Sequence, residues 1–228
     1  MTHSNKMGKV LSDSGLQLLL GRAQASINEV SEMFMSKFGS IRISGGESWK
    51  DGIYFVTEAA EACGRAYMIP VSQFLQMMHQ LTDPSDTVLR VQRFQTAVEG
   101  VPIIPTAMFN HQFVVFETQG CWWWSIEKNA EGLTLQRSRD VKAVRRRYRQ
   151  QPRPEEVLLE EKNGTCDIRE LVSFLYSERE LTKIYHAFVS NCQHFVVDVY
   201  KHLTRSQEEK TLILEYSERY SRKVRYYL

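Results

Sequence analysis

The run from His111 to Gln136 constrains this chain more than any other stretch. His111-Gln112-Phe113-Val114-Val115-Phe116-Glu117 is rich in β-branched and aromatic residues and reads as a strand. Thr118-Gln119-Gly120 supplies a turn, and Cys121 to Glu127, with Trp122, Trp123 and Trp124, reads as the hairpin partner. Asn129 to Gly132 turns again and Leu133 to Gln136 makes a third strand, giving an antiparallel meander. Two helices follow it. Thr165 or Asp167 can cap one carrying Ile168, Leu171, Val172 and Leu175. Ser190-Asn191 can cap another, with Phe195, Val196, Val199 and Leu203 on one face. The expected fold is therefore α+β, a small antiparallel sheet packed on the helix that carries Cys192.

Upstream of the meander the pattern is mainly helical. Leu16, Leu19, Leu20, Ala23, Ile27, Val30, Phe34 and Phe38 follow helical spacing over about 13–38, and Gly39 can stop that helix. Ile53 to Cys63 reads as a strand running into a helix. Val71 to Leu81 reads as a helix ended by Thr82-Asp83-Pro84, and Val88, Val91, Phe94 and Val98 fit helical spacing within an ambiguous stretch, 86–99. The character changes near Pro102 and Pro105. The chain thus divides into a mostly helical region at 1–100, the meander and its helices at 101–206, and a charged helical tail at 207–228 with Leu212, Leu214 and Tyr216.

Composition excludes more than it assigns. The chain is 43% hydrophobic and 25% charged, enough for a sizeable core, and a formal net charge of +2 does not by itself imply an acidic partner. No run approaches the ~18 apolar residues that span a bilayer, and the first residues do not resemble a signal peptide, so a cytoplasmic location with reduced thiols is expected. Cys63, Cys121, Cys166 and Cys192 include no Cys-x-x-Cys pair, and no metal or cofactor is expected. Arg145, Arg146, Arg147 and Arg149 could meet an anionic partner. The commoner reading of such a run is a solvated face paired with Glu155, Glu156, Glu160 and Glu161.

Cys192 and His111 carry the chemistry. An Asn191 cap puts Cys192 in the first turn of a helix, where the partial positive charge stabilises a thiolate and the N–H groups can serve as an oxyanion hole. Such a thiolate needs a base, and His111, opening the best strand, suits that role. Spacing alone favours the plainer reading, a buried small thiol and a rim histidine. The wording of the motif shifts that balance. Asn191-Cys192-Gln193-His194-Phe195 resembles the N-C-E/Q-H-F motif of the circularly permuted papain-like (NlpC/P60-type) enzymes, nearest to the lecithin:retinol acyltransferase-like group and then the PPPDE peptidases. The histidine strand precedes the cysteine helix there, as here, and the likeness covers about 105–204.

The resemblance implies a cysteine nucleophile at Cys192 and a histidine base at His111. It implies a thioester intermediate formed from an amide, isopeptide or ester, with a protein, peptide or lipid acyl group as substrate. The acyltransferase group has a second histidine where this chain has Trp122-Trp123-Trp124, so the orienting third group falls to Glu127 if the hairpin register faces it toward His111, with Glu117 behind it. The missing histidine also suits an inactive member that serves as an interaction or basic-surface binding module. His194 lies about 200° round the helix from Cys192 and is read as a hydrogen-bonding residue. His186 is a second-rank base, and His79 a helix-surface residue. Of the three tryptophans at least one should pack in the core.

Overall fold

The fold is α+β, built on a mixed sheet that draws strands from well before the meander. A computed structural model describes residues 50–60, 65–97, 110–149, 151–185, 191–206 and 208–212. The expected helix at 13–38, the base candidate His186 and most of the tail lie outside the described residues. The strands are β1 (Gly52–Val56), β2 (Ala66–Pro70), β3 (Val88–Ala97), β4 (Asn110–Thr118), β5 (Trp123–Asn129), β6 (Gly132–Ser138), β7 (Arg147–Tyr148), β8 (Gln151–Pro152) and β9 (Glu156–Asn163). The helices are α1 (Phe74–Leu81), α2 (Val141–Arg145), α3 (Ile168–Ser177) and α4 (Cys192–Thr204).

Seven strands form one sheet in the order β2-β1-β6-β5-β4-β3-β9, and β7 and β8 form a separate ribbon. The β1–β6 pairing is parallel; the other neighbours are antiparallel. The sheet is thus larger than the meander and is not purely antiparallel. The expected division at residue 100 falls between β3 and β4, which are paired neighbours from Val88↔Thr118 to Ala97↔Asn110. Residues 86–99 did not declare this strand because β3 is covered on both faces. Val91 and Phe94 face opposite sides and are both buried, so its apolar positions do not alternate strictly. The Arg93/Phe94 bulge against β9 disturbs the period further. β9 was hidden for another reason. It is an edge strand with mostly exposed side chains, and its acidic residues conceal it.

Both faces of the sheet are covered. On one, Val114, Phe116, Trp124, Ile126 and Leu135 pack under Phe74 and Met78 of α1, Leu171 and Leu175 of α3 and Phe195, Val196 and Val199 of α4. On the other, Phe113, Val115 and Phe94 meet Ala143 and Val144 of α2. Trp124 is the core tryptophan, stacked at 5.9 Å on Phe55 and 5.8 Å on Phe116. Trp122 is half-buried beneath the guanidinium groups of Arg137 and Arg139 at 4.3 and 3.8 Å. Trp123 lies under Arg90 at 4.9 Å. The helix expected over Val71–Leu81 opens as a 3-10 turn at Val71–Gln73 and continues as α1; Thr82 ends it.

Gly52 starts β1 where only glycine fits. Its φ is +141°, and a Cβ there would stand 2.2 Å from the Ile69 carbonyl oxygen across the β1–β2 pair. Gly52→Ala is expected to destabilise the protein by about 2 kcal/mol or more, through strain and loss of that close approach. A urea midpoint unchanged from wild type would refute this. Among the described residues no helix is long and apolar enough to cross a membrane.

Candidate functional site

The site forms where two neighbouring strands part. The β4–β5 ladder runs from Glu117↔Trp123 to Val114↔Ile126. Beyond it β5 stays with β6 as far as Asn129↔Gly132, while β4 stays with β3 as far as Asn110. The N-terminus of α4 fills the opening. Cys192 Sγ lies 4.0 Å from the Asn110 carbonyl and accepts a hydrogen bond from the Gln112 N–H. Those two groups lie on one edge of β4, so the sulfur stands where a neighbouring strand would otherwise pair. Gln193 Nε2 also donates to the Asn110 carbonyl, at 3.3 Å.

The helix start is built by Asn191. Its Oδ1 accepts from the N–H groups of Gln193 and His194 at 3.0 and 3.1 Å, and His194 Nδ1 lies 2.9 Å from it. His194 therefore serves the cap, as its position on the helix suggests. Two N–H groups expected to bind an oxyanion are thereby engaged. The Cys192 N–H is directed at the hydroxyl of Tyr185, and that hydroxyl in turn donates to Sγ. The Cys192 N–H meets another acceptor only if Tyr185 moves away. Sequence reading missed Tyr185, which is a lone aromatic in an apolar segment with no local pattern to mark it.

His111 and Glu127 meet on the opposite face of the sheet from the core of α4. Alternation from Val114↔Ile126 puts Glu127 on the side of Phe113, and His111 is two residues further along that side. His111 Nε2 lies 2.7 Å from Glu127 Oε2. A carboxylate only accepts, so Nε2 carries the hydrogen and Nδ1 is left for the sulfur. Glu117, the other carboxylate weighed for this role, pairs instead with Arg90 at 2.7 Å.

Arg153 completes the cluster and was not singled out in the sequence. Its Nη1 donates to Glu127 Oε2 at 2.7 Å, its Nη2 to Glu127 Oε1, and its Nε to the Arg147 carbonyl at 3.1 Å. The signal was Pro152-Arg153-Pro154. A proline after Arg153 holds its backbone extended.

Electrostatics follow from these contacts. Burial by itself would raise the Glu127 carboxyl, but the charge and hydrogen bonds of Arg153, aided by His111, hold it at about 2. Burial would lower His111; hydrogen bonds to Cys192 and Glu127 and their charges raise it to about 9. Burial would raise the Cys192 thiol, yet His111, the Gln112 N–H and Tyr185 bring it below its ordinary value. The His111 side chain keeps 21% of its surface exposed and Cys192 6%, so the site opens to solvent on the histidine side. Cys166 is the contrast: burial, with the charges of Glu170 and Asp167 against that of Lys210, pushes it up to about 12.

The arginine-rich stretch is spent largely on the protein itself. Arg145 pairs with Glu156 at 2.8 Å, and Arg149 pairs with Glu131 at 2.7 Å and donates to Thr134. Arg146 and Arg147 are exposed. A groove of about 710 Å³ lies elsewhere, between α3 and α4, lined in part by Phe174, Lys183, Asp198 and His202. Compared with family models, with curated proteins and with solved structures, the chain matches none.

Proposed function

We propose that the protein is a cysteine-dependent hydrolase or acyltransferase of the permuted papain-like kind, with Cys192 as nucleophile, His111 as acid and base, and Glu127 as orienter. One observation carries the reading. The Cys192 sulfur, at a capped helix N-terminus, receives hydrogen bonds from His111, the Gln112 N–H and Tyr185, an environment that favours the thiolate. The order of histidine strand before cysteine helix supports the same reading, as does the resemblance of Asn191 to Phe195.

The thiolate attacks the carbonyl carbon of an amide, isopeptide or ester, forming a C–S bond and placing negative charge on the oxygen. That oxygen displaces the Tyr185 hydroxyl from the Cys192 N–H. His111 gives its Nδ1 proton to the departing amine or alcohol as the bond to carbon breaks, leaving a thioester. His111 then takes a proton from water or an acceptor, which attacks the thioester and releases the thiolate. The acyl donor is a protein, a peptide or a lipid, and the proposed location is the cytoplasm.

p-Nitrophenyl esters of short and long acyl chains test this. A nitrophenolate burst should accompany acyl mass on Cys192, discharged by hydroxylamine and absent in Cys192→Ala. No adduct on Cys192 sinks the enzyme reading. One observation favours the rival, an inactive binding module: the Tyr185 hydroxyl engages both the Cys192 N–H and the sulfur. In that case Tyr185→Phe, which removes both contacts, should form the adduct that wild type does not.

A further inference from the structure

Arg153 is placed too carefully for a surface cation. Its side chain is 3% exposed. Nε, Nη1 and Nη2 all donate, two of them as a fork onto both oxygens of Glu127. The guanidinium lies 4.2 Å over the Phe113 ring and 5.4 Å from that of Tyr148. Its backbone N–H donates to the Arg146 carbonyl at 2.8 Å, and the Pro154 carbonyl accepts from Thr96. Phe113 in turn stacks on Phe94 at 5.5 Å. The arginine is thus fixed by the sheet, the β7–β8 ribbon and two flanking prolines.

Its consequence reaches beyond Glu127. A buried carboxylate with no cation tends to take up a proton, and a protonated Glu127 no longer stabilises an imidazolium. With Arg153 present the four groups alternate in charge, guanidinium, carboxylate, imidazolium and thiolate, and the set is neutral. Without it the three remaining charges sum to −1; a proton taken up by Glu127 relieves this, and an imidazolium with no carboxylate behind it holds the thiolate less well. A fork also fixes the plane of the carboxylate, and so the direction from which His111 Nε2 is held.

We propose that Arg153 is a positioning residue for the Cys192–His111 pair, acting through Glu127 to keep the carboxylate ionised and in plane behind the imidazole. This rests on the acyl-transfer reading above.

The test is the pH dependence of iodoacetamide alkylation at Cys192, followed by peptide mapping in wild type, Arg153→Met, Glu127→Gln and the double variant. Arg153→Met should slow alkylation about tenfold on the acidic limb, an upward move of about one pH unit in the midpoint. The same change made on top of Glu127→Gln should move the midpoint far less, because the group through which Arg153 acts is gone. Arg153→Lys keeps the charge and loses the fork, and should fall between. If Arg153→Met does not fold, Arg153→Lys against wild type and the charge-neutral double variant against Glu127→Gln carry the same comparison. A midpoint unmoved by either Arg153 substitution, or moved equally in both backgrounds, overturns the inference while leaving the acyl-transfer reading intact. An ordinary thiol midpoint in wild type overturns that reading, and this inference with it.

Discussion

Changing His111 to Ala is expected to carry the alkylation midpoint of Cys192 upward past the ordinary thiol value of 9.0 and to silence the thiol at neutral pH. The largest influence on Cys192 is burial, which raises it; the hydrogen bond and charge of His111 are the main opposing effects. Remove them and only the Gln112 N–H and the Tyr185 hydroxyl are left to oppose burial. A thiol with a midpoint above 9 is about 1% ionised or less at pH 7, so alkylation there should fall by about tenfold or more. Turnover in the wild type should be bell-shaped. It rises as Cys192 ionises, below the usual thiol range, and falls as His111 loses its proton near 9, both limbs belonging to the coupled pair.

Stability follows the same charges with definite signs. His111, raised from 6.5 to about 9, contributes stability that is complete below pH 6.5 and is lost as pH rises through 9. Glu127, lowered from 4.5 to about 2, contributes stability complete above pH 4.5 and lost as pH falls through 2. A wild-type alkylation profile that His111→Ala leaves in place would refute the pairing of these two residues.

The second large effect lies away from the site. Lys128 on β5 is fully buried, and its Nζ sits 3.1 Å from Glu180, whose side chain is 4% exposed. Lys183 reaches the other Glu180 oxygen at 2.8 Å from a half-exposed position. Burial lowers Lys128, and Glu180 opposes that. Glu180→Ala therefore leaves a buried ammonium without its carboxylate and should cost about 3–5 kcal/mol, or about 10 °C in Tm. The double change Lys128→Met with Glu180→Leu should recover most of that loss, because two apolar side chains replace two charges. If Glu180→Ala costs less than about 1 kcal/mol, the Lys128–Glu180 pair is not what holds the buried ammonium.

The strands and the chemistry were legible in the sequence to different depths. β4 to β6 were readable because their β-branched and aromatic residues are continuous and their turns are short and polar. α3 and α4 were readable from helical spacing and from the Asp167 and Asn191 caps, both of which form. β3 and β9 were not, since one is buried on both faces with a bulge and the other is exposed at an edge, so neither shows strict alternation. Consequently the sequence drew a boundary at residue 100 through what is one continuous sheet.

The local part of the site was likewise written in the chain. A cap residue before Cys192 dictates a thiol in the first turn of a helix, and a strand beginning at Asn110 and His111 dictates where that histidine stands. Whether Glu127 faced His111 hung on a single-residue register, which only the pairing of Val114 with Ile126 decided. Tyr185 was beyond reach of any local pattern, and Pro152-Arg153-Pro154 marked a stiff segment without marking what its arginine meets. The two residues come from segments far from one another in sequence and meet the cluster only because β4 and β5 part and α4 enters the gap. The sequence by itself determined which groups could do the chemistry, because helix caps and strand propensities act over a few residues. Tertiary structure decided their charges, because burial and long-range partners exist only once the sheet has closed around them.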